Sequence, residues 1–259
     1  MVAILEQAES EKKRFEKNKH RLEFLALLVG LGLVIERYIQ AEYNLILGQL
    51  SHIASTNQKL TSAEMGVVRS FVKSGMTKLA REIVNETEAQ AAEVARIAAE
   101  LAGGEYDPTL SAEVLAILNT GALGVPLADV LSLVFLQSMN NVTGAIQRTI
   151  LGNDSYLVAV KEINLILNNS LRKKVTGEIE TQLNKGFNAV AQKVMVAQGV
   201  TEMLYHLSPT DTHCPICPPR DGKVYPINDE VWDSLPEHPN CICYGTPFKR
   251  EEPEQTLSI

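Results

Sequence analysis

All four cysteines of this 259-residue chain lie within thirty residues, at Cys214, Cys217, Cys241 and Cys243, and His238 stands three residues ahead of Cys241. A C-x-x-C turn lets two thiolates bind one ion. Residues i and i+2 of an extended strand face the same side, so Cys241 and Cys243 can supply two more. Four soft ligands converging in this way suit tetrahedral zinc. The expected zinc ligands are Cys214, Cys217, Cys241 and Cys243, with His238 as the substitute if one cysteine is out of reach. Two other states of these cysteines stay open: packed thiols, and two disulfides formed once the protein leaves the cell. Clustered cysteines with no N-terminal signal pattern favour a metal site made in a reducing cytoplasm.

Catalytic readings of the same residues are incomplete. A thioredoxin-type site needs a helix directly after its first cysteine, whereas Pro218-Pro219 follows Cys217 and the sequence does not continue as a helix. A zinc deaminase needs an H-x-E motif that is absent from the chain. His238 and Asn240 superficially fit a His-Asn-His nuclease, but no histidine follows His238 to complete a catalytic metal site. The expectation is a binding or structural protein and not an enzyme. His213 reads as a surface turn residue, and Trp232, the only tryptophan, as core.

The stretch Asp211, Thr212, Cys214, Cys217, then Asp221-Gly222-Lys223-Val224-Tyr225, then His238-Pro239-Asn240-Cys241 and Cys243 resembles the C-terminal module of phage head morphogenesis proteins, the Mu F-like minor head family. The match departs from the family's pattern at His213, an extra residue beside the first cysteine, and at Ile242, where the family usually has arginine. It covers about the last fifth of the chain. The resemblance implies a minor virion protein located in the phage head interior or at the portal vertex and made in the host cytoplasm. It implies action in head morphogenesis and DNA packaging, contact with the portal or major capsid protein, self-association in a ring around the portal, and ejection with the genome in some members.

The elements that must position these residues are helical. Aromatics are only 5% of the chain while aliphatic residues and alanine dominate. The expected fold class is mainly α: an elongated long-helix body over residues 1–199, a small α+β zinc-binding module over 200–248, and a polar tail over 249–259. A module this small builds little core and calls for a metal staple.

Residues 22–60 place large apolar side chains at three- and four-residue steps, predicting one long helix, and Gly30 and Gly32 in its most apolar turn suggest close helix packing. The T-x-x-E spacing at Thr61 and Glu64 predicts a helix start, with a run to Gly103-Gly104 unless Ser74-Gly75 kinks it. A short helix over 111–119 follows. Pro126 should open a helix to Ile150 as its first residue, and Asp154 should cap the next, with one long helix or two over 155–198 bending near Gly177 or Gly186. Met203, Tyr205 and Leu207 alternate as a strand. Lys223 to Tyr225 reads as a second strand, Asp229 to Leu235 as one helical turn, and Cys241 to Tyr244 as a third strand.

Of the formal charge of −7, −5 falls on residues 206–259. An acidic module is a poor phosphate binder, so packaged DNA is at most a weak partner. The competing class, a nucleic-acid-binding zinc protein, would rest on Lys12, Lys13, Arg14, Lys17 and Arg21 near the N-terminus. No uncharged run gives a convincing membrane span.

Overall fold

The computed structural model describes residues 2–55, 62–151, 155–207, 215–236, 238 and 241–249; side chains are described from residue 19 onward, except those of 53–55, 62, 64 and 150. The chain is mainly helical with a small C-terminal sheet. Helix α1 spans Val2–Ser55 without interruption. Its buried face reads Arg21, Phe24, Leu28, Leu31, Ile35, Ile39, Glu42, Ile46, Leu50, the alternation of three and four that keeps one stripe facing inward.

Helix α2 (Ser62–Ala89) and α3 (Ala91–Leu101) replace the single predicted helix, and the break falls at Gln90 rather than at Ser74-Gly75. Buried Thr87 donates its hydroxyl to the Ile83 carbonyl at 2.8 Å, a back-bond that bends helices. The capping pair cannot be compared, since Thr61 and the Glu64 side chain lie outside the described residues. Gly75 instead lets α1 approach α2: a Cβ there would meet Glu42 Oε1 at 1.9 Å.

Glu42 is only 9% exposed, and its Oε1 has no hydrogen-bond partner among the described residues. Burial raises its carboxyl above the ordinary value of 4.5, with Lys78 opposing and Glu82 adding to the shift. A carboxyl raised in the folded state binds its proton more tightly there than in the unfolded chain. Its contribution to stability is fully present below about pH 4.5 and is lost as pH rises through the folded pKa. Glu42→Gln should therefore be more stable than the wild type at pH 7.5 and level with it at pH 4. Thermal unfolding at the two pH values checks this, and parallel behaviour at both would show that burial does not raise the Glu42 carboxyl.

Helix α4 (Leu110–Thr120) and α5 (Leu127–Ile150) follow. Pro126 is the N-cap of α5 and not its first residue; its φ of −51° and ψ of 144° are extended, and its carbonyl accepts from Asp129 and Val130. The next helix is capped by Ser155, whose hydroxyl accepts from the Val158 amide; Asp154 lies outside the described residues. This helix runs as α6 (Tyr156–Asn164), a π-helical stretch (Leu165–Leu171) and α7 (Arg172–Ala197). Gly177 and Gly186 both lie within α7, which does not end at either. Buried positions recur every fourth residue from Ile163 through Leu167, Leu171, Val175, Ile179 and Leu183 to Phe187. An α-helix drifts by about 40° over each such step; the wider π turns offset that drift across the Leu167 to Leu171 step, and beyond it the buried positions spread around α7. Gly186 serves close packing, because a Cβ there would meet Val114 of α4 at 3.0 Å.

Strand β1 (Glu202–His206) is central, with β2 (Val224–Pro226) and β3 (Tyr244–Phe248) antiparallel on its two sides. The short helix α8 (Glu230–Asp233) carries Trp232, which is buried as expected and donates Nε1–H to the Pro226 carbonyl at 2.8 Å. The third strand begins where the predicted one ends, at Tyr244, and Cys241 to Cys243 are not in it. Body and sheet share one continuous hydrophobic core. No helix among the described residues is long and apolar enough to cross a membrane.

Candidate metal centre

Cys217 closes a loop that turns through a short 3-10 segment, Pro218–Arg220. The Cys241 amide donates to the His238 carbonyl at 3.1 Å. These two pieces bring three ligand atoms together. Cys217 Sγ lies 3.6 Å from His238 Nε2 and 4.0 Å from Cys241 Sγ, and all three atoms lie within 4.8 Å of one another. Zinc bonds of about 2.3 Å to sulfur and about 2.0 Å to nitrogen, opened by the tetrahedral angle, give about 3.8 Å between sulfurs and about 3.6 Å from sulfur to nitrogen. The two distances from Cys217 Sγ are close to those values, and the cluster could hold a metal ion.

Of the predicted ligands, Cys217 and Cys241 are together with His238. Cys243 is buried, but its sulfur is not part of the three-atom cluster, and Cys214 lies outside the described residues, as do Asp211, Thr212, His213, Pro239 and Asn240. The i, i+2 argument for Cys243 needed a strand, and Cys241 to Cys243 form none. Cys243 is nonetheless adjacent to the cluster. The fully buried Tyr205 side chain ends at the sulfurs of Cys243 and Cys217, where its hydroxyl completes no hydrogen bond of ordinary geometry among the described residues. Burial first, and these two thiols second, push that hydroxyl far above the usual tyrosine range.

Helix side chains take the place of a strand partner for Cys241 to Cys243. Asn184 Nδ2 of α7 donates to the Cys241 carbonyl at 3.2 Å and to the Cys243 carbonyl at 2.9 Å. Asn188 Nδ2 donates to the Cys243 carbonyl at 3.1 Å, and its Oδ1 accepts from the Gly245 amide at 3.4 Å. The Ile242 carbonyl accepts from Arg21 of α1. Three consecutive buried carbonyls are thus satisfied by the helical body, as buried backbone must be. Asn184 and Asn188 carry no motif; their signal in the sequence is two amides four residues apart on an otherwise apolar helix face.

Arg21 is 4% exposed. Its guanidinium lies 5.0 Å from the Phe24 ring centre, 5.5 Å from Phe187 and 4.4 Å from Tyr244. Burial lowers its pKa to about 10, against the influence of Tyr244, Cys243 and Cys241, so it is a cation at neutral pH. A side chain so enclosed is not available to nucleic acid, which corrects its place in the basic N-terminal set. The side chains of Lys12, Lys13, Arg14 and Lys17 lie outside the described residues.

A second convergence, His20 with Glu23 and Glu100, already holds its cation. Arg96 contacts Glu100 at 2.7 Å, Glu93 at 2.6 Å and Glu23 at 3.9 Å. That network ties α1 to α3. His206 stacks on Tyr244 at 4.8 Å and lies within 2.8 Å of the Thr246 hydroxyl.

No family model, curated protein or solved structure matches the chain.

Proposed function

We propose that the chain is a minor structural protein of a phage head, docked through its helical body to the portal or inner capsid, with a zinc ion stapling its C-terminal sheet. The observation that carries this reading is the Cys217, His238, Cys241 cluster, because its members are the residues on which the Mu F-like resemblance rests. Zinc fits best among metals: two thiolates and an imidazole at tetrahedral spacing are its ordinary ligands, and a small sheet with short strands needs such a staple. No catalytic role is assigned to any residue.

The proposed docking surface is an exposed apolar stripe on α1. Leu22, Ala26, Val29 and Leu33 are exposed on α1, with the three large ones 57–65% exposed. Their spacing of four, three and four residues is that of a coiled-coil seam. A Cβ at Gly30, beside this seam, would meet nothing within 4 Å. The other half of the same apolar run, Leu28, Leu31 and Ile35, is buried in the chain's own core. The exposed half suits a helix of a partner, and the portal or capsid protein is the proposed source.

A structure of the assembled particle tests the reading. The expected result is the chain at the portal vertex or inner head wall with Val29 and Leu33 covered. A particle in which that seam faces solvent, or a chain found only on free DNA, would overturn it.

A further inference from the structure

Helices α2 and α5 pack side by side and leave a valley between them with a volume of about 420 Å³. Its floor is apolar: Met76 and Phe135 are buried, and Met139 is half-buried. Methionine side chains adapt to whatever packs on them, which suits a floor that receives another surface. The two rims differ. On the α2 side Lys73, Thr77 and Arg81 stand exposed at four-residue steps, while on the α5 side Ala128, Ser132 and Leu136 keep the same steps and carry no charge. Rows of this kind are the ridges between which a third helix packs. Lys73 to Val84 covers about 16 Å of α2, or about three turns.

Charge selects the occupant. The ionisable residues of the lining are Lys73 and Arg81, about 12 Å apart along α2. Two carboxylates on one flank of a helix, at i and i+7 or i+8, have nearly that separation. A single-headed amphipathic anion such as a fatty acid would use one cation and leave the other idle. The exposed seam of α1 in a second copy is a poorer complement. The carboxylates at its ends, Glu23 and Glu36, are about 20 Å apart along the helix, and they lie 3.9 Å from Arg96 and 2.6 Å from Arg172.

We propose that the valley between α2 and α5 is a docking site for an amphipathic helix of a partner protein. That helix carries an apolar ridge that fills the floor and two carboxylates, two turns apart, on the flank that meets α2. The site is independent of the metal centre and of the α1 seam. The apolar ridge supplies most of the affinity, and the cation pair fixes direction: a helix laid the other way would turn its acidic flank to the uncharged α5 rim.

The probe is a fluorescein-labelled, end-capped synthetic helix of about 18 residues in an alanine and glutamine background. It has leucines at i, i+3, i+7 and i+10 and two glutamates seven residues apart on one flank. Anisotropy at low salt, with the full-length chain as titrant, should show saturable binding of micromolar affinity. The same peptide with lysines in place of both glutamates should bind at least tenfold more weakly. Lys73→Glu combined with Arg81→Glu should weaken the glutamate peptide at least tenfold and should bind the lysine peptide more tightly than the wild type does. A purely structural effect would not reverse the preference, and both positions are exposed, where substitutions seldom disturb folding. Ser132→Trp, which fills the valley and keeps both cations, should remove binding of the glutamate peptide. If that variant does not fold, the charge swap alone decides. Equal binding of the two peptides, binding of neither, or a paired reversal without effect would overturn the proposal. Dodecanoate bound in the valley where the glutamate peptide is not would give the site to a small amphipathic anion, and self-association lost in the paired reversal would give it to a second copy; either contradicts the proposal.

Discussion

Cys241→Ser should retain no zinc and should lose the C-terminal sheet. Structural zinc contributes on the order of 10 kcal/mol to the folding of small metal modules, comparable with the whole stability of an ordinary domain, about 5–15 kcal/mol. The sheet's own aromatic cluster is Tyr205, Tyr225 and Trp232, with ring centres 6.0–6.5 Å apart, and Met203, Val231, Leu235 and Ile242 join it to the core of the body; this packing should not suffice without the ion. The damage should extend into the body, because Asn184, Asn188 and Arg21 are left facing a segment that no longer offers its carbonyls. Trp232 fluorescence and metal content, read on the same sample, check this outcome. Retained native fluorescence in a metal-free Cys241→Ser protein would show that packing alone holds the sheet.

Val29→Glu combined with Leu33→Glu should abolish incorporation into particles while leaving the isolated chain folded. Both side chains are exposed in the single chain, and exposed substitutions usually change stability by within about 0.5 kcal/mol. Burying each against a partner would contribute about 1.5–3 kcal/mol, so losing both should weaken association by at least about 100-fold. The internal control is Ile35→Glu, on the opposite face at 1% exposure, which should destabilise the chain itself. Particle content by immunoblot and thermal unfolding of the isolated protein separate the two effects. Normal incorporation of the double variant would move the docking surface elsewhere.

The helices were legible because their apolar positions keep helical spacing over long runs: α4 and α5 follow that spacing to within a few residues, while α1 starts twenty residues before the expected Leu22, because its charged first turns carry no apolar stripe to read. The break at Gln90 was not, since Gly75 looked the weaker point; a glycine in a helix is a hinge only if nothing packs on it, and Glu42 does. The π stretch was hidden for a related reason, as a four-residue repeat reads like an ordinary helical stripe until its accumulated drift is counted. At the site, the cysteine spacing picked out the right segment, while the choice among its sulfurs depended on backbone conformation. Cys241 and Cys243 would share a side on a strand, but α7 and α1 hold their carbonyls instead. Asn184, Asn188 and Arg21 are remote from the motif in sequence, so only the fold could show that the body builds the cysteine segment.

X-ray absorption at the zinc edge, on the full-length chain purified under reducing conditions with its metal content determined, tests the central claim most directly. The account predicts one zinc per chain, with sulfur neighbours at about 2.3 Å and a nitrogen neighbour at about 2.0 Å. A folded chain with no bound metal, its cysteines remaining as packed thiols, would contradict it.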